Sequence, residues 1–343
     1  MKMKHLLFVL LLSNMSLMAQ DFKTPVDYLS YIDKEQDQIS RSMWKYTTTA
    51  AHSKSVRRIE NIRKQLIKSI QTASKKIADL KDGYKGDIEY RDKILSYLSI
   101  SEKNINEEYS KIIDMQEVAE KSYDDMEAYL MARDLVNNKM NEEHEKVSSS
   151  QKQFADKYNI TLTESDSELS RKMKQSNEVI DYHTVIYLIF FKANYTENNL
   201  TKAIEEKNIG TIQQTANALI QYVDDGLAKL QSITAYNKDA SFLNNTKKAL
   251  EFYKKSAQIY TPKAVNFFMY NDKFENAKKV MESKSKKDLL PEEIENYNKM
   301  VVQINNEITT YNNATNTNNQ EKNNMLNSWN STSESFISSH IPE

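Results

Sequence analysis

Cysteine is absent from all 343 residues of the chain. That excludes disulfides, thiol catalysis, iron–sulfur clusters and cysteine-type zinc sites. It also excludes a lipid-modified cysteine, so an exported form would not be a lipoprotein. Glycine and proline are nearly absent, at four residues each, against about 7% and 5% in an average chain. These residues punctuate turns and strand ends, so a chain this poor in them has few places to reverse. The expectation is an all-α fold, an elongated bundle of long antiparallel helices that begins with a long helical hairpin. Catalytic or phosphate-cradling loops built on glycine are excluded by the same shortage. Neither sign of charge is in excess, with 47 Lys and Arg against 48 Asp and Glu. Nucleic-acid binders carry a basic surplus, so no nucleic-acid partner is expected. Hydrophobic residues make up 39%, below the usual level of about 45–50%. A thin bundle with a high surface-to-volume ratio needs no more.

Long apolar runs are also few. Leu6 to Leu12 follows Lys2, Lys4 and His5 and precedes the small-residue stretch Ser16 to Ala19. Residues 1–19 read as a secretory signal peptide cleaved after Ala19. The mature chain would then carry 45 basic and 48 acidic residues. The run Val185–Phe191 is seven residues long, where a membrane span needs about 20. It reads as a buried core segment, and no transmembrane helix is expected after cleavage.

Thr24-Pro25 opens the first helix, with Thr24 as N-cap. No breaker follows before Asp82-Gly83, so the helix would be roughly 80 Å long. Its weakest place is the β-branched run Thr47-Thr48-Thr49. Ile62, Leu66, Ile70, Ala73 and Ile77 recur at steps of three and four, one buried stripe. Gly83 and Gly86 make the sharp turn, with Gly83 just past the helix end. A second helix runs from Ile88 to about Tyr158. Residues 20–165 form this hairpin. Residues 166–343 form a C-terminal half, and the two halves also read as one continuous domain. In that half Asn194–Asn199 reads as a polar break, Gly226 as tolerated within a helix, and Pro262 as a kink or an interruption. Pro291 starts the last helix, with Glu292 and Glu293 in its first turn. From residue 312 the composition turns to Asn, Ser and Thr. This tail is either a frayed helix docked by Met325, Trp329 and Phe336 or a disordered segment.

Catalytic motifs are missing: no G-x-S-x-G, P-loop, G-x-G-x-x-G or H-E-x-x-H occurs. The Glu-x-x-His pairs of di-iron bundles are missing too. No enzyme activity, cofactor or metal is expected. His183, beside the apolar run, reads as a satisfied core residue, and His144 as part of a solvated acidic face.

Charge is segregated along the expected hairpin. Residues 45–86 hold eleven Lys or Arg against three Asp or Glu, and residues 87–145 hold seven against sixteen. In a hairpin centred near Tyr84, position x faces about 168 − x. Lys45 then lies opposite Tyr123 and Asp124, Arg57 and Arg58 near Asp114, and His52 near Glu117. The simpler reading is complementarity that fixes register. The sharper one is a polar, aromatic-rich interaction cluster of Trp44, Tyr46, His52, Arg57, Arg58, Asp114, Glu117, Tyr123, Asp124 and Asp125, open to a ligand or partner. The stretches Trp44–Glu60 and Glu108–Glu127 also resemble a family of uncharacterised secreted or surface proteins of Bacteroidetes and spirochaetes. The resemblance implies export and an unknown role, and it supplies no catalytic residues.

These observations point to an exported, non-enzymatic binding or structural protein of the cell envelope, periplasmic or at the cell surface. Its partner would be a protein or envelope component. The other reading is a membrane-active protein resembling elongated helical pore-forming toxins. The sequence leaves the partner and the oligomeric state open.

Overall fold

A computed structural model describes residues 22–343 except 54, 122, 164–166 and 286. For 108–124 and 127–137, apart from 122, it describes only the helical backbone. The fold is all-α: among the described residues there is no strand, only two isolated bridges inside turns. The helices are α1 (Pro25–His52), α2 (Val56–Ala78), α3 (Glu89–Lys121), α4 (Tyr123–Lys157), α5 (Glu168–Glu205), α6 (Ile209–Ser232), α7 (Ser241–Lys255), α8 (Thr261–Ser283) and α9 (Pro291–His340). A π-helical turn, Ser256–Tyr260, joins α7 to α8.

They group into two compact units, and the division is not a single cut near residue 165. The first unit holds the described residues up to 46, 60–108 and 134–163. The second holds 47–59, 109–133 and the rest of the chain from 167.

Each expected arm of the long hairpin is two helices rather than one. The first arm stops at His52, not at Asp82, and the break falls on the serines. Ser55 N–H donates to Ser53 Oγ (3.2 Å), and Arg58 N–H donates to Ser55 Oγ (3.3 Å). Ser55 thereby caps α2, local bonds that compete with a continuous helix. In the first unit α1 then runs back along α2. Ser42 meets Ser69 (2.9 Å), Lys45 donates to Gln65 (3.3 Å), and buried Glu35 pairs with Lys76 (2.8 Å). Lys45 therefore has Gln65 beside it, and the side chains of Tyr123 and Asp124, placed opposite it above, lie outside the described residues. The α2–α3 turn does sit at Gly83–Gly86. Arg63 donates to Asn106 (3.1 Å), one residue from the position assigned above, while Gln71 reaches Glu102 (2.7 Å), five away. The Tyr97 and His144 rings meet, and Phe154 packs on Tyr28 and Tyr90. These pairs make α4 antiparallel to both α3 and α1. The first unit is thus an up-down-up-down four-helix arrangement.

Its corner turn is built on positive φ. Tyr84 and Asp87 exchange main-chain hydrogen bonds (3.0 Å each) around Lys85 (φ 51°) and Gly86 (φ 86°). Both central residues are left-handed, as in a type I′ turn. Gly83 lies outside this pair, beyond the end of α2, at φ 58°. A Cβ there would stand 1.9 Å from the Asp87 carbonyl oxygen, whereas one on Gly86 would meet nothing within 4 Å. Gly83→Ala should therefore cost about 2 kcal/mol or more, and Gly86→Ala about 1 kcal/mol. Urea unfolding of the two variants tests this, and equal midpoints would refute the steric account.

The second unit repeats the plan. Tyr236 and Asp239 bridge a turn around Asn237 (φ 46°) and Lys238 (φ 69°), with no glycine. In each unit the turn's Tyr packs on a Phe near the end of the last helix, Phe154 or Phe336. In each, the turn's Asp accepts from the N–H two residues on and from a basic side chain on that last helix, Lys157 or His340. The helix before the turn buries Leu66, Ile70, Ala73 and Ile77 in one unit and Leu219, Val223, Gly226 and Leu230 in the other, at the same 4-3-4 spacing.

One further expectation for this half is corrected. Asn194–Asn199 is no break. It lies inside α5, where Tyr253 Oη donates to Asn194 (2.7 Å) and buried Glu197 pairs with Lys322. Gly226 does lie inside α6, as expected, and an added Cβ would stand 3.0 Å from Ile189 Cγ2 and 3.1 Å from Leu250 Cδ1. The helix is interrupted ahead of Pro262, as expected, by the π turn, and Thr261 Oγ1 donates to Ser256 O across it (3.0 Å). The Asn-rich tail is the second part of α9, docked by Trp329 and Phe336, which are 4% and 1% exposed.

Candidate functional site

Of the ten residues proposed as an interaction cluster, the structure brings two to one pocket. Trp44 and Tyr46 belong to the first unit, half-buried, with Tyr46 packed against its core. His52, Arg57, Arg58 and Asp125 belong to the second and are exposed. The side chains of Asp114, Glu117, Tyr123 and Asp124 lie outside the described residues. His52 and Arg58 line a pocket of about 350 Å³ with Thr48, Thr49, Ser53 and Glu343. Sequence reasoning missed Thr48, Thr49 and Ser53 as site residues, having read the threonines only as a weak helical stretch. Glu343 carried no signal at all.

The pocket is assembled where α1 ends and α2 begins. His52 occupies the last turn of α1, and its Nε2 bonds the main-chain oxygen of Ile341 (3.1 Å). Since a carbonyl only accepts, Nε2–H is the donor. Arg57 and Arg58 stand in the first turn of α2, which has no acidic residue. A helix N-terminus carries about half a positive charge, so cations there are unfavourable by about 0.3–1 kcal/mol each. Among the described residues no carboxylate lies within ion-pair distance of Arg58. Glu343 lies on the pocket wall, and Lys172 donates to its main-chain oxygen (3.0 Å).

The second unit also has apolar features on its surface. Between α5 and α6 a groove of about 390 Å³ is lined by Val185, Leu188, Ile189, Tyr222 and Ile233, with Lys192, Asp225 and Lys229 among its polar walls. Val185 is 53% exposed, so the apolar run is not wholly buried as expected. Further along, α8 and α9 form a two-helix arm. Phe190 packs on Trp329 and Glu197 meets Lys322, so by this register α5 ends beside about residue 314. Below that level Phe267 stacks on Tyr311 (4.9 Å) and Phe274 on Tyr297 (5.7 Å). The apolar stripe of α9 is wider than α8 covers, leaving Leu290, Ile294 and Ile308 exposed, with Val302 on another side.

His183 is a satisfied core residue. Its ring stacks on Phe242 (4.7 Å, 1°) and its Nε2 bonds Ser333 Oγ (2.7 Å). Burial lowers its pKa to about 4. Among the described residues no group of three His, Asp or Glu is placed to hold a metal, and no helix is long and apolar enough to cross a membrane. No family model, curated protein or solved structure matches the chain.

Proposed function

We propose that the chain is an exported, non-catalytic binding protein of the cell envelope that engages an apolar helix of a partner protein through its own helix faces. The observation that carries this reading is the α9 stripe. Ile294 and Ile308 are 42% and 38% exposed on the part of α9 that pairs with α8, and Leu290, just ahead of α9, is 62% exposed. Aliphatic side chains repeated along one helix are anchors for a helix laid alongside them. The leader-like segment at residues 1–19 and the resemblance to uncharacterised surface proteins support the envelope assignment.

A photo-crosslinking residue at Ile308 in intact cells tests the reading. A discrete adduct is expected, lost when Ile294 is changed to Asp. A control crosslinker at exposed Lys207, outside the arm, should give none. Absence of any adduct at Ile308 would overturn the assignment of the arm. Leakage from lipid vesicles at micromolar protein would instead favour the membrane-active reading.

A further inference from the structure

We propose that the pocket of Thr49, His52 and Arg58 binds the phosphoryl group of a small polar phosphomonoester. The first support is electrostatic. The N-terminus of α2 presents its own partial positive charge together with Arg57 and Arg58, and its first turn holds no carboxylate. An anion relieves this repulsion, and an arginine fork matches phosphate geometry.

The second support is independent of the helix end. Thr49 lines the pocket and is nine-tenths buried, with 9% exposed. The other buried threonines each have a partner: Thr196 donates to Lys192 O (2.8 Å), Thr261 donates to Ser256 O (3.0 Å), and Thr246 accepts from Trp329 Nε1 (3.0 Å). Thr49 is the exception among the described buried threonines: its hydroxyl bonds no described residue, which leaves it for an occupant of the pocket.

Size and lining narrow the ligand. The cavity of about 350 Å³ is at the small end of the range for organic ligands, about 300–1,000 Å³. It exceeds what one inorganic phosphate fills. The remaining wall is hydroxyl-bearing, from Thr48 and Ser53, which suits a hydroxylated rather than an apolar body. Glu343 is the discordant element, because its carboxylate opposes an incoming anion.

Calorimetric titration of the purified protein with inorganic phosphate and with glycerol 3-phosphate tests the proposal. Glycerol 3-phosphate should bind about tenfold more tightly than phosphate, the organic body adding contacts. Arg58→Gln should weaken both by about tenfold or more. Thr49→Val should weaken both several-fold. Arg57→Gln, which removes a charge beside the pocket but no lining group, should weaken both by less than Arg58→Gln does, and Glu343→Gln should tighten binding about threefold. Circular dichroism melts confirm that each variant is folded. Binding of phosphate and glycerol 3-phosphate with equal affinity would overturn the phosphomonoester assignment in favour of the free anion. No saturable binding of either probe, or equal binding by wild type, Arg58→Gln and Arg57→Gln, would overturn the site itself.

Discussion

Replacing Trp329 by alanine should destabilise the second unit by about 3–5 kcal/mol, the range for deleting a buried aromatic. Trp329 is 4% exposed and stacks on Phe190 with ring centroids 3.7 Å apart. Tyr187 and Phe242 close around it at 6.0 and 5.6 Å. The indole N–H donates to Thr246 Oγ1 (3.0 Å), and Thr246 is wholly buried. Alanine leaves both a cavity and a buried hydroxyl short of a partner, and these two costs can be separated. Trp329→Phe keeps an aromatic ring and should lose only about 1–3 kcal/mol, chiefly from the orphaned hydroxyl. Adding Thr246→Val to Trp329→Phe should recover part of that. Urea unfolding followed by far-UV circular dichroism gives all three values. A loss below about 1 kcal/mol for the alanine variant would show that α9 is not anchored at this point.

The second large effect is set by pH. His183 has its pKa lowered from the ordinary 6.5 to about 4 because burial disfavours the imidazolium. Between those values the unfolded chain holds a proton that the folded chain does not. The contribution is fully present above about pH 6.5 and is lost as the pH falls toward 4. The displacement corresponds to about 3 kcal/mol over that window. His183→Phe retains a ring to stack on Phe242 and removes the titration, so its stability should change less between pH 7 and pH 4. The variant forgoes the bond to Ser333 and should start lower at pH 7. Parallel slopes for the two proteins would mean that His183 is protonated in the folded state. Asp239 does not confuse the reading, since the His340 hydrogen bond lowers its pKa and its contribution is lost only at more acidic pH.

What could be read before any coordinates were seen follows from how local each signal is. The stripe Leu66, Ile70, Ala73, Ile77 needs only its own helix, and it is buried as spaced. Pro291 opens α9 with Glu293 in its first turn as read, and Glu293 accepts from the Leu290 N–H (3.1 Å), a contact confined to four residues. The reversal at Ser53–Ser55 was hidden because serine is compatible with helix, and only its hydrogen bonds to nearby N–H groups tip the balance. The Tyr236–Asp239 turn was hidden for a related reason: Asn237 and Lys238 adopt the left-handed conformation without a glycine to announce it. His52 and Arg58 drew notice for their charge. That they share a pocket with Thr49 and Glu343 depends on packing between segments almost 300 residues apart, and no spacing rule encodes such a meeting.

The interleaved division of the chain bears on how it is made. Every described segment of the first unit has been synthesised once residue 163 is added, so that unit has its full complement of helices early. The stretches 47–59 and 109–133 are synthesised just as early, yet they belong to a unit whose other helices do not yet exist. Met126, wholly buried against Phe191 in the finished protein, must wait uncovered for α5. During that interval the nascent chain carries a completed bundle beside unsatisfied apolar surface, the state in which chaperones engage their clients.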